Sequence, residues 1–173
     1  MHDDPEEIEE LEGYQEEPQP YLLEYPRFRM TLTTLIERIP GGDAGPIALL
    51  VLFGSVARLE PTRWSDADLL VVLDEAPGTL SRVDWRERTL RFLRLARGIE
   101  TTTGDGISNW PLIPFFCDQK CSGVDLDFLA AVGEHGVRLY QASGYIPPLA
   151  LAALQPLETW LTHVERALAT ARP

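Results

Sequence analysis

Two continuously apolar runs, set close together in the chain, limit the folds open to this sequence more than any other feature. They are Ile47–Phe53 and Leu69–Leu73. Uninterrupted apolar runs of this length are typical of strands that are covered on both faces of a sheet. The first run ends directly at Gly54-Ser55, where glycine gives the backbone unusual freedom to turn. The pattern predicts two adjacent buried strands in one sheet, joined through a short polar segment.

The turn after the first strand has the composition of a phosphate-binding turn. Gly54 can adopt backbone angles that let the chain approach a ligand closely. Ser55 offers a hydroxyl and an amide N–H. Val56–Leu59 are predicted to form the first turn of a helix, whose N-terminus attracts phosphate oxygens. A Gly-Ser pair also occurs in many turns that bind nothing, so this pair alone does not decide the function.

Asp66 and Asp68 introduce the second strand. Side chains at i and i+2 of a strand point to the same face, where two carboxylates repel each other. A cation between them removes this repulsion, and Mg²⁺ is usually held by one or two carboxylates together with substrate phosphates. The alternatives are that Asp66 caps a loop and that Asp68 pairs with Arg58 or Arg63.

The remaining predicted elements surround these two strands. Apolar spacing and turn residues predict helices over Leu22–Ile39, Arg82–Glu100, Asp125–Val132 and Pro148–Ala171, a strand over Leu112–Cys117, and a short strand or turn over Val137–Gln141. The last of these helices is expected to be the longest, with a kink or break at Pro156. The order predicts an α/β or α+β domain in which a small mixed sheet is flanked by helices.

The acidic residues are concentrated at the N-terminus. Nine of the 27 acidic residues fall within residues 1–17, and the remaining 18 stand against 15 Lys and Arg. Residues 1–20 are therefore predicted to be a flexible acidic arm, and residues 21–173 a single domain of nearly neutral charge. An acidic chain has no general attraction for nucleic acid, and the arginines within residues 82–97 are interpreted as a solvated helix face.

Two absences indicate the surroundings in which the chain works. No stretch reaches the roughly 18 apolar residues of a membrane span, and the N-terminus is acidic where a signal peptide is basic. These features predict a cytoplasmic protein without membrane contact. Cys117 and Cys121 are too few for a zinc site, so they are interpreted as reduced, structurally ordinary thiols.

Two motifs carry a resemblance to a known family. The segments "GSVAR" at 54–58 and "SDADLLVVL" at 65–73 resemble the signature of the polymerase-β-type nucleotidyltransferase superfamily. The similarity is to its minimal bacterial and archaeal members, in which the pattern runs G-S-x-A-R-G…S-D-x-D-L. Residues 127–141, "DFLAAVGEHGVRLYQ", also resemble the end of such domains. The resemblance implies the nucleotidyltransferase fold.

The resemblance also implies a function and a set of site residues. It implies metal-dependent transfer of an NMP, with AMP from ATP as the expected group, onto a hydroxyl of a protein or a small molecule. Asp66 and Asp68 would be catalytic and would ligate Mg²⁺ or Mn²⁺. The nucleoside triphosphate would be bound by Gly54, Ser55, Arg58 and Ser65. The four tryptophans are interpreted as packing residues, with the alternative that Trp64, beside Ser65-Asp66, borders a nucleotide pocket; they are Trp64, Trp85, Trp110 and Trp160. Family members of this size often act as the antitoxin partner of a separately encoded helical toxin, which they modify with AMP.

Two positions depart from the family's pattern. Leu59 stands where the family commonly has a glycine. The third carboxylate, which the family carries on a later adjacent strand, is absent from the predicted strand "LIPFFC". Asp118 at its end is the catalytic candidate, whereas Asp125 is expected to cap a helix. This leaves two hypotheses, an active transferase and a catalytically degenerate nucleotidyltransferase-fold module that acts by docking to a partner protein.

Overall fold

The computed structural model describes residues 22, 24–62, 64–102 and 110–171. Its elements in chain order are α1 (Tyr25–Arg38), β1 (Ile47–Phe53), α2 (Gly54–Ala57), β2 (Ala67–Leu73), α3 (Arg82–Thr102), β3 (Leu112–Cys117), α4 (Leu126–His135), β4 (Val137–Gln141), a 3₁₀ turn (Leu149–Leu151), β5 (Gln155–Pro156) and α5 (Leu157–Thr170). The acidic arm predicted for residues 1–20 lies outside the described residues.

The five strands form one mixed sheet in the order β3-β2-β1-β4-β5. Strand β1 pairs antiparallel with both β2 and β4, whereas β2 with β3 and β4 with β5 are parallel pairs. The prediction of a small mixed sheet flanked by helices is confirmed. The two apolar runs are neighbouring strands near the centre of this sheet, and Phe53 at the end of β1 lies opposite Asp68 of β2.

Helices cover both faces of the sheet, which explains why its central strands are apolar throughout. One face packs against α1, α3 and α5, with Phe28, Phe92 and Trp160 buried in that layer. The other face packs against α4 and the 3₁₀ turn, through Leu129 and Leu151. With both faces covered, a polar side chain in β1 would lose its water without gaining a partner.

The last helical stretch differs in part from the prediction. Residues 148–171 were expected to be the longest helical stretch, with a kink or break at Pro156. The break is confirmed, because Pro156 ends a two-residue strand and α5 begins only at Leu157. Proline lacks a backbone N–H, so it fits immediately before a helix better than inside one. The longest described helix is instead α3, with 21 residues. None of the described helices combines the length and the apolar composition that a membrane crossing requires.

Candidate functional site

Gly54 and Asp68 lie in direct contact at the end of the β1–β2 pair. Gly54 adopts a φ of +77°, in the left-handed region that side chains other than glycine rarely enter. A Cβ atom built on Gly54 would also overlap the Oδ2 atom of Asp68. Glycine is therefore required here for two reasons: the backbone is left-handed, and the Asp68 carboxylate leaves no room for a Cβ atom. The structure brings together these two residues, which the sequence analysis assigned to one site.

A hydrogen bond between Ser55 and Ser65 connects the turn after β1 to the segment before β2. Their Oγ atoms are 2.9 Å apart, and the Oγ of Ser65 also accepts a hydrogen bond from the backbone N–H of Thr62 at 2.8 Å. The backbone N–H of Glu60 donates to the carbonyl of Ser55 at 2.9 Å. Ser65 is 9% exposed, so these contacts fix the segment leading to Asp66.

The helical turn predicted over Val56–Leu59 starts two residues earlier, and the helix does not continue beyond it. Helix α2 is a single turn, Gly54–Ala57, and Leu59 has a φ of +63°. A residue with this backbone conformation cannot continue a right-handed helix. Leu59 is where the family pattern has a glycine, and the left-handed backbone explains why glycine would suit the position.

Replacing Leu59 tests this backbone strain. Leu59→Ala and Leu59→Gly both remove a side chain that packs against the core, but only the glycine variant relieves the left-handed conformation. We expect Leu59→Gly to be more stable than Leu59→Ala by about 1 kcal/mol, which reverses the usual order of these two residues. Urea denaturation of the two variants measures the difference. Equal stability, or a more stable alanine variant, would contradict the assigned conformation.

Two aromatic side chains, one from α1 and one from α5, hold the turn in place through hydrogen bonds. The hydroxyl of Tyr25 in α1 donates to the carbonyl of Val56 at 2.5 Å, and the indole N–H of Trp160 in α5 donates to the carbonyl of Ala57 at 2.9 Å. The rings of Tyr25 and Trp160 also pack edge to face, with centroids 5.7 Å apart. Burial raises the pKa of Tyr25, so its proton stays in place for the hydrogen bond.

Sequence reasoning missed these two hydrogen bonds. Trp160 was interpreted as a packing residue, which its burial bears out, but its polar contact with the turn was not foreseen. Tyr25 was not singled out at all. The two partners are separated along the chain by 31 and 103 residues, so no local spacing could have indicated either bond.

The carboxylate groups of Asp66 and Asp68 form no hydrogen bond or salt bridge with any residue that the structure describes. Arg63, the other cation considered for Asp68, lies outside the described residues. Burial raises the pKa of Asp68, and the nearby charge of Asp66 raises it further, while the Arg58 guanidinium opposes the shift. Arg58 itself pairs with Glu60 at 3.1 Å. The alternative in which Arg58 serves as the ion-pair partner of Asp68 is not what the structure shows.

The raised pKa of Asp68 leads to a prediction for the stability of the protein without metal. Because the pKa of Asp68 is higher in the folded protein than in the unfolded chain, its contribution favours folding at low pH and is lost as the pH rises through the folded pKa. At pH 7 and without divalent metal, Asp68→Asn should therefore raise the melting temperature, by about 1–2 °C because solvent screens this partly exposed carboxylate. The gain should disappear below about pH 4, where the unfolded carboxylate is also protonated. A variant that melts below wild type at pH 7 would contradict this electrostatic account.

A comparison with known protein families matches the segment that holds Gly54 and Asp68. The family model of the nucleotidyltransferase domain matches residues 36–100, a range that holds β1, the turn at Gly54-Ser55, β2 and most of α3. The match confirms the predicted nucleotidyltransferase resemblance.

Two solved structures are similar to the chain at low sequence identity. A toxin–antitoxin crystal structure with AMP-PNP is 16% identical, with a TM-score of 0.40, and the alignment covers 81% of this chain and 82% of that chain. A mutant of the toxin–antitoxin MntA-HpeT with two Asp-to-Glu substitutions is 14% identical, with a TM-score of 0.39 and the same coverage. No curated protein sequence matches the chain.

The third carboxylate of the nucleotidyltransferase pattern is not supplied by Asp118. In the parallel pairing of β2 with β3, Asp68 lies beside Ile113, whereas Cys117 lies beside Val72. Asp118 therefore follows the opposite end of β3, roughly 16 Å along the sheet from the strand position beside Asp68. Its Oδ1 accepts hydrogen bonds from the backbone N–H groups of Lys120 and Ser122, at 2.9 and 3.0 Å. The prediction that Asp118 completes a catalytic triad is wrong for this structure, because it stabilises a turn elsewhere.

Apolar side chains occupy the face beside Asp68 instead. Ile113 is 38% exposed, and Phe115, two residues further along the same strand, is 45% exposed. The rings of Phe53, Phe115 and Phe128 form a cluster with centroid distances of 5.4 to 6.0 Å. Among the described residues no group of three or more His, Cys, Asp or Glu side chains could hold a metal ion. Two carboxylates are still enough for Mg²⁺ when substrate phosphates complete its ligands.

Two other predictions can be compared with the structure. The carboxylate of Asp125 accepts the backbone N–H of Phe128 at 2.9 Å at the start of α4, so its predicted capping role is confirmed. Trp64 is 75% exposed, whereas Trp110 is buried against Tyr25. Of the four tryptophans, Trp64 therefore does not pack in the core as predicted.

Proposed function

We propose that the chain binds a nucleoside triphosphate together with Mg²⁺ or Mn²⁺ at the turn between β1 and β2. Gly54 and the amide and hydroxyl of Ser55 would bind the phosphates, with Ser65 and Arg58 beside them. Asp66 and Asp68 would hold the divalent ion. The contact between Gly54 and Asp68 is the observation that carries this proposal, because it joins the phosphate turn to a carboxylate that has no salt-bridge partner among the described residues.

The chemistry of such a site follows from its donors. A bound divalent cation would neutralise charge on the triphosphate and on the two carboxylates. The neutral backbone N–H groups of a tight turn contribute oriented dipoles toward phosphate oxygens. The α-phosphate would then be open to in-line attack by an acceptor hydroxyl, with pyrophosphate as the leaving group. The protein would contribute mainly positioning and electrostatic stabilisation.

The side chain at the third position bears on the choice between an active transferase and a docking module. Ile113, which lies beside Asp68, can neither bind a second metal ion nor accept the proton of an attacking hydroxyl. This favours a docking module that retains binding of metal and triphosphate, and we propose this as the function that the geometry supports best. Its partner would be a separately encoded helical toxin, with the chain as the antitoxin.

The second candidate is transfer of AMP from ATP to a hydroxyl of that partner or of a small molecule. It is favoured by the complete phosphate turn and by the presence of both remaining carboxylates on one strand end. Loss of a general base typically costs about 10²- to 10⁴-fold in rate, so transfer would be slow and would not require a different site. The two candidates share the nucleotide site and differ only in turnover.

Calorimetric titration with ATP and Mg²⁺ tests the shared site. The wild type should bind ATP in the presence of Mg²⁺, and the double variant Asp66→Asn plus Asp68→Asn should lose at least about tenfold in affinity, since the bound metal would lose both charged ligands. Asp118→Asn is the matched control, because it neutralises a carboxylate at the far end of the sheet and keeps the oxygen that caps its turn. Equal affinity for ATP with Mg²⁺ in the wild type and the double variant would contradict the proposal.

Turnover is measured separately with ATP labelled at the α-phosphate. The docking hypothesis predicts no labelled AMP on a co-purified partner and only a trace background of metal-dependent formation of AMP and pyrophosphate in water. The transfer hypothesis predicts label on the partner that Asp66→Asn plus Asp68→Asn abolishes. Label that persists in the double variant would contradict both candidates.

A further inference from the structure

The two cysteines of the chain touch each other inside the protein. Cys117 is the last residue of β3, and Cys121 lies in the turn that leads to α4. Their Sγ atoms are 3.0 Å apart, both thiols are free, and each residue is 3% exposed. The sequence holds no other cysteine. The two cysteines were interpreted as reduced, structurally ordinary thiols; both are free, but their sulfur atoms are in contact.

The contact gives the two sulfur atoms different chemistry. The Cys117 S–H donates to the Sγ of Cys121, and this hydrogen bond lowers the pKa of Cys121 while it raises the pKa of Cys117. A thiolate is the reactive form of cysteine toward oxidants. Cys121 is thus the nucleophile of the pair, and Cys117 is placed to resolve whatever forms on it.

Hydrogen bonds in the turn around Asp118 hold the two sulfur atoms close together. The carboxylate of Asp118 accepts two backbone N–H groups within the turn, and the N–H of Cys121 donates to the carbonyl of Asp118 at 2.9 Å. The remaining gap between the sulfur atoms is about 1 Å longer than a disulfide bond. A small shift within one turn closes it, with no rearrangement of the sheet.

We propose that Cys117 and Cys121 form a redox modification site that a peroxide converts into an intramolecular disulfide. The Cys121 thiolate attacks one peroxide oxygen, the O–O bond breaks, and a sulfenic acid and hydroxide result. The Cys117 sulfur then attacks the Cys121 sulfur, and the sulfenic hydroxyl leaves with the Cys117 proton as water. In total, two thiols and one hydrogen peroxide give one disulfide and two waters.

This site is separate from the proposed nucleotide site. Cys117 lies beside Val72, whereas Asp68 lies beside Ile113 at the other end of the same strand pair. Oxidation should therefore leave binding of ATP and Mg²⁺ unchanged. The proposal does not depend on the proposed function, and either can fail alone.

Peptide mapping after treatment of the full chain with hydrogen peroxide tests the proposal. Lys120 lies between the two cysteines, so trypsin separates residues 98–120 from residues 121–138 unless a disulfide joins them. We expect the monomer to lose about 2 Da at its cysteines, the two peptides to appear as one cross-linked species, and dithiothreitol to separate them again. Free glutathione in the same tube reports that the oxidant was active.

Two serine variants test which sulfur reacts first. Cys117→Ser keeps a hydroxyl donor beside Cys121, and a sulfenic-acid probe should label its Cys121. Cys121→Ser leaves only Cys117, which should be labelled at least about tenfold less. Circular dichroism checks that both variants fold. If one of them does not fold, peptide mapping of the wild type still shows whether the disulfide forms. The proposal is overturned if both wild-type thiols remain open to alkylation after unfolding while glutathione is oxidised. It is equally overturned by sulfinic acid or intermolecular dimers as the main products, or by equal labelling of the two variants.

Discussion

Ile113→Asp is expected to increase the metal-dependent conversion of ATP to AMP and pyrophosphate by about 10²- to 10⁴-fold over wild type. The reason is the strand register, which places this side chain beside Asp68, on the face where the third carboxylate of a nucleotidyltransferase would lie. Neighbouring strands are about 4.8 Å apart, a separation that two carboxylates can bridge through shared metal ions. Product formation is followed with ATP labelled at the α-phosphate and water as the acceptor, so no partner protein is required.

Phe115→Asp is the matched control for this gain. It adds the same charge to the same exposed face of β3, but beside Leu70 and not beside Asp68. It should leave turnover at the wild-type level. Without metal, Ile113→Asp should melt below wild type, because a third carboxylate adds to the repulsion between Asp66 and Asp68, and Mn²⁺ should restore part of the loss. Equal turnover in the two variants would contradict the assignment of position 113.

Gly54→Ala is expected to lower the free energy of unfolding by about 2–4 kcal/mol and to weaken binding of ATP with Mg²⁺ by at least about tenfold. The new methyl group requires a left-handed backbone that alanine disfavours, and it overlaps the Oδ2 atom of Asp68. The turn and the carboxylate must then move apart. Urea denaturation and calorimetry measure the two effects.

Gly78→Ala separates the steric effect from the backbone effect. Gly78 has a φ of +73°, close to that of Gly54, but nothing lies within 4 Å of a Cβ built there. This variant should lose only about 1–2 kcal/mol and should bind ATP normally. In an Asp68→Ala background the cost of Gly54→Ala should fall by about 1 kcal/mol or more, because the overlapping carboxylate is gone. Equal costs in the two backgrounds would show that Asp68 does not restrict Gly54.

The parts of the site that the sequence predicts are those that depend on local chemistry. The apolar runs could be assigned as buried strands because a sheet covered on both faces excludes polar side chains. Gly54 and Asp68 could be assigned to one site because a glycine turn and a carboxylate pair each have an unusual local composition. The structure adds the reason for the glycine, namely the carboxylate pressed against it.

The parts that the sequence does not predict depend on register and on contacts between distant segments. Asp118 is the nearest carboxylate along the chain to the third strand, but the parallel pairing of β2 with β3 puts it at the wrong end. Ile113 gains its importance only from that register. Tyr25 in α1 and Trp160 in α5 donate hydrogen bonds to the turn, and nothing in the local sequence of either helix indicates these bonds.

The most direct test of the central claim is a crystal structure of the chain with Mn²⁺ and a non-hydrolysable ATP analogue, in which anomalous scattering locates the metal. The account predicts a manganese peak about 2.0–2.3 Å from carboxylate oxygens of both Asp66 and Asp68, with the triphosphate against the backbone N–H groups at Gly54-Ser55. A manganese ion bound away from both aspartates, or a triphosphate seated elsewhere on the chain, would contradict it.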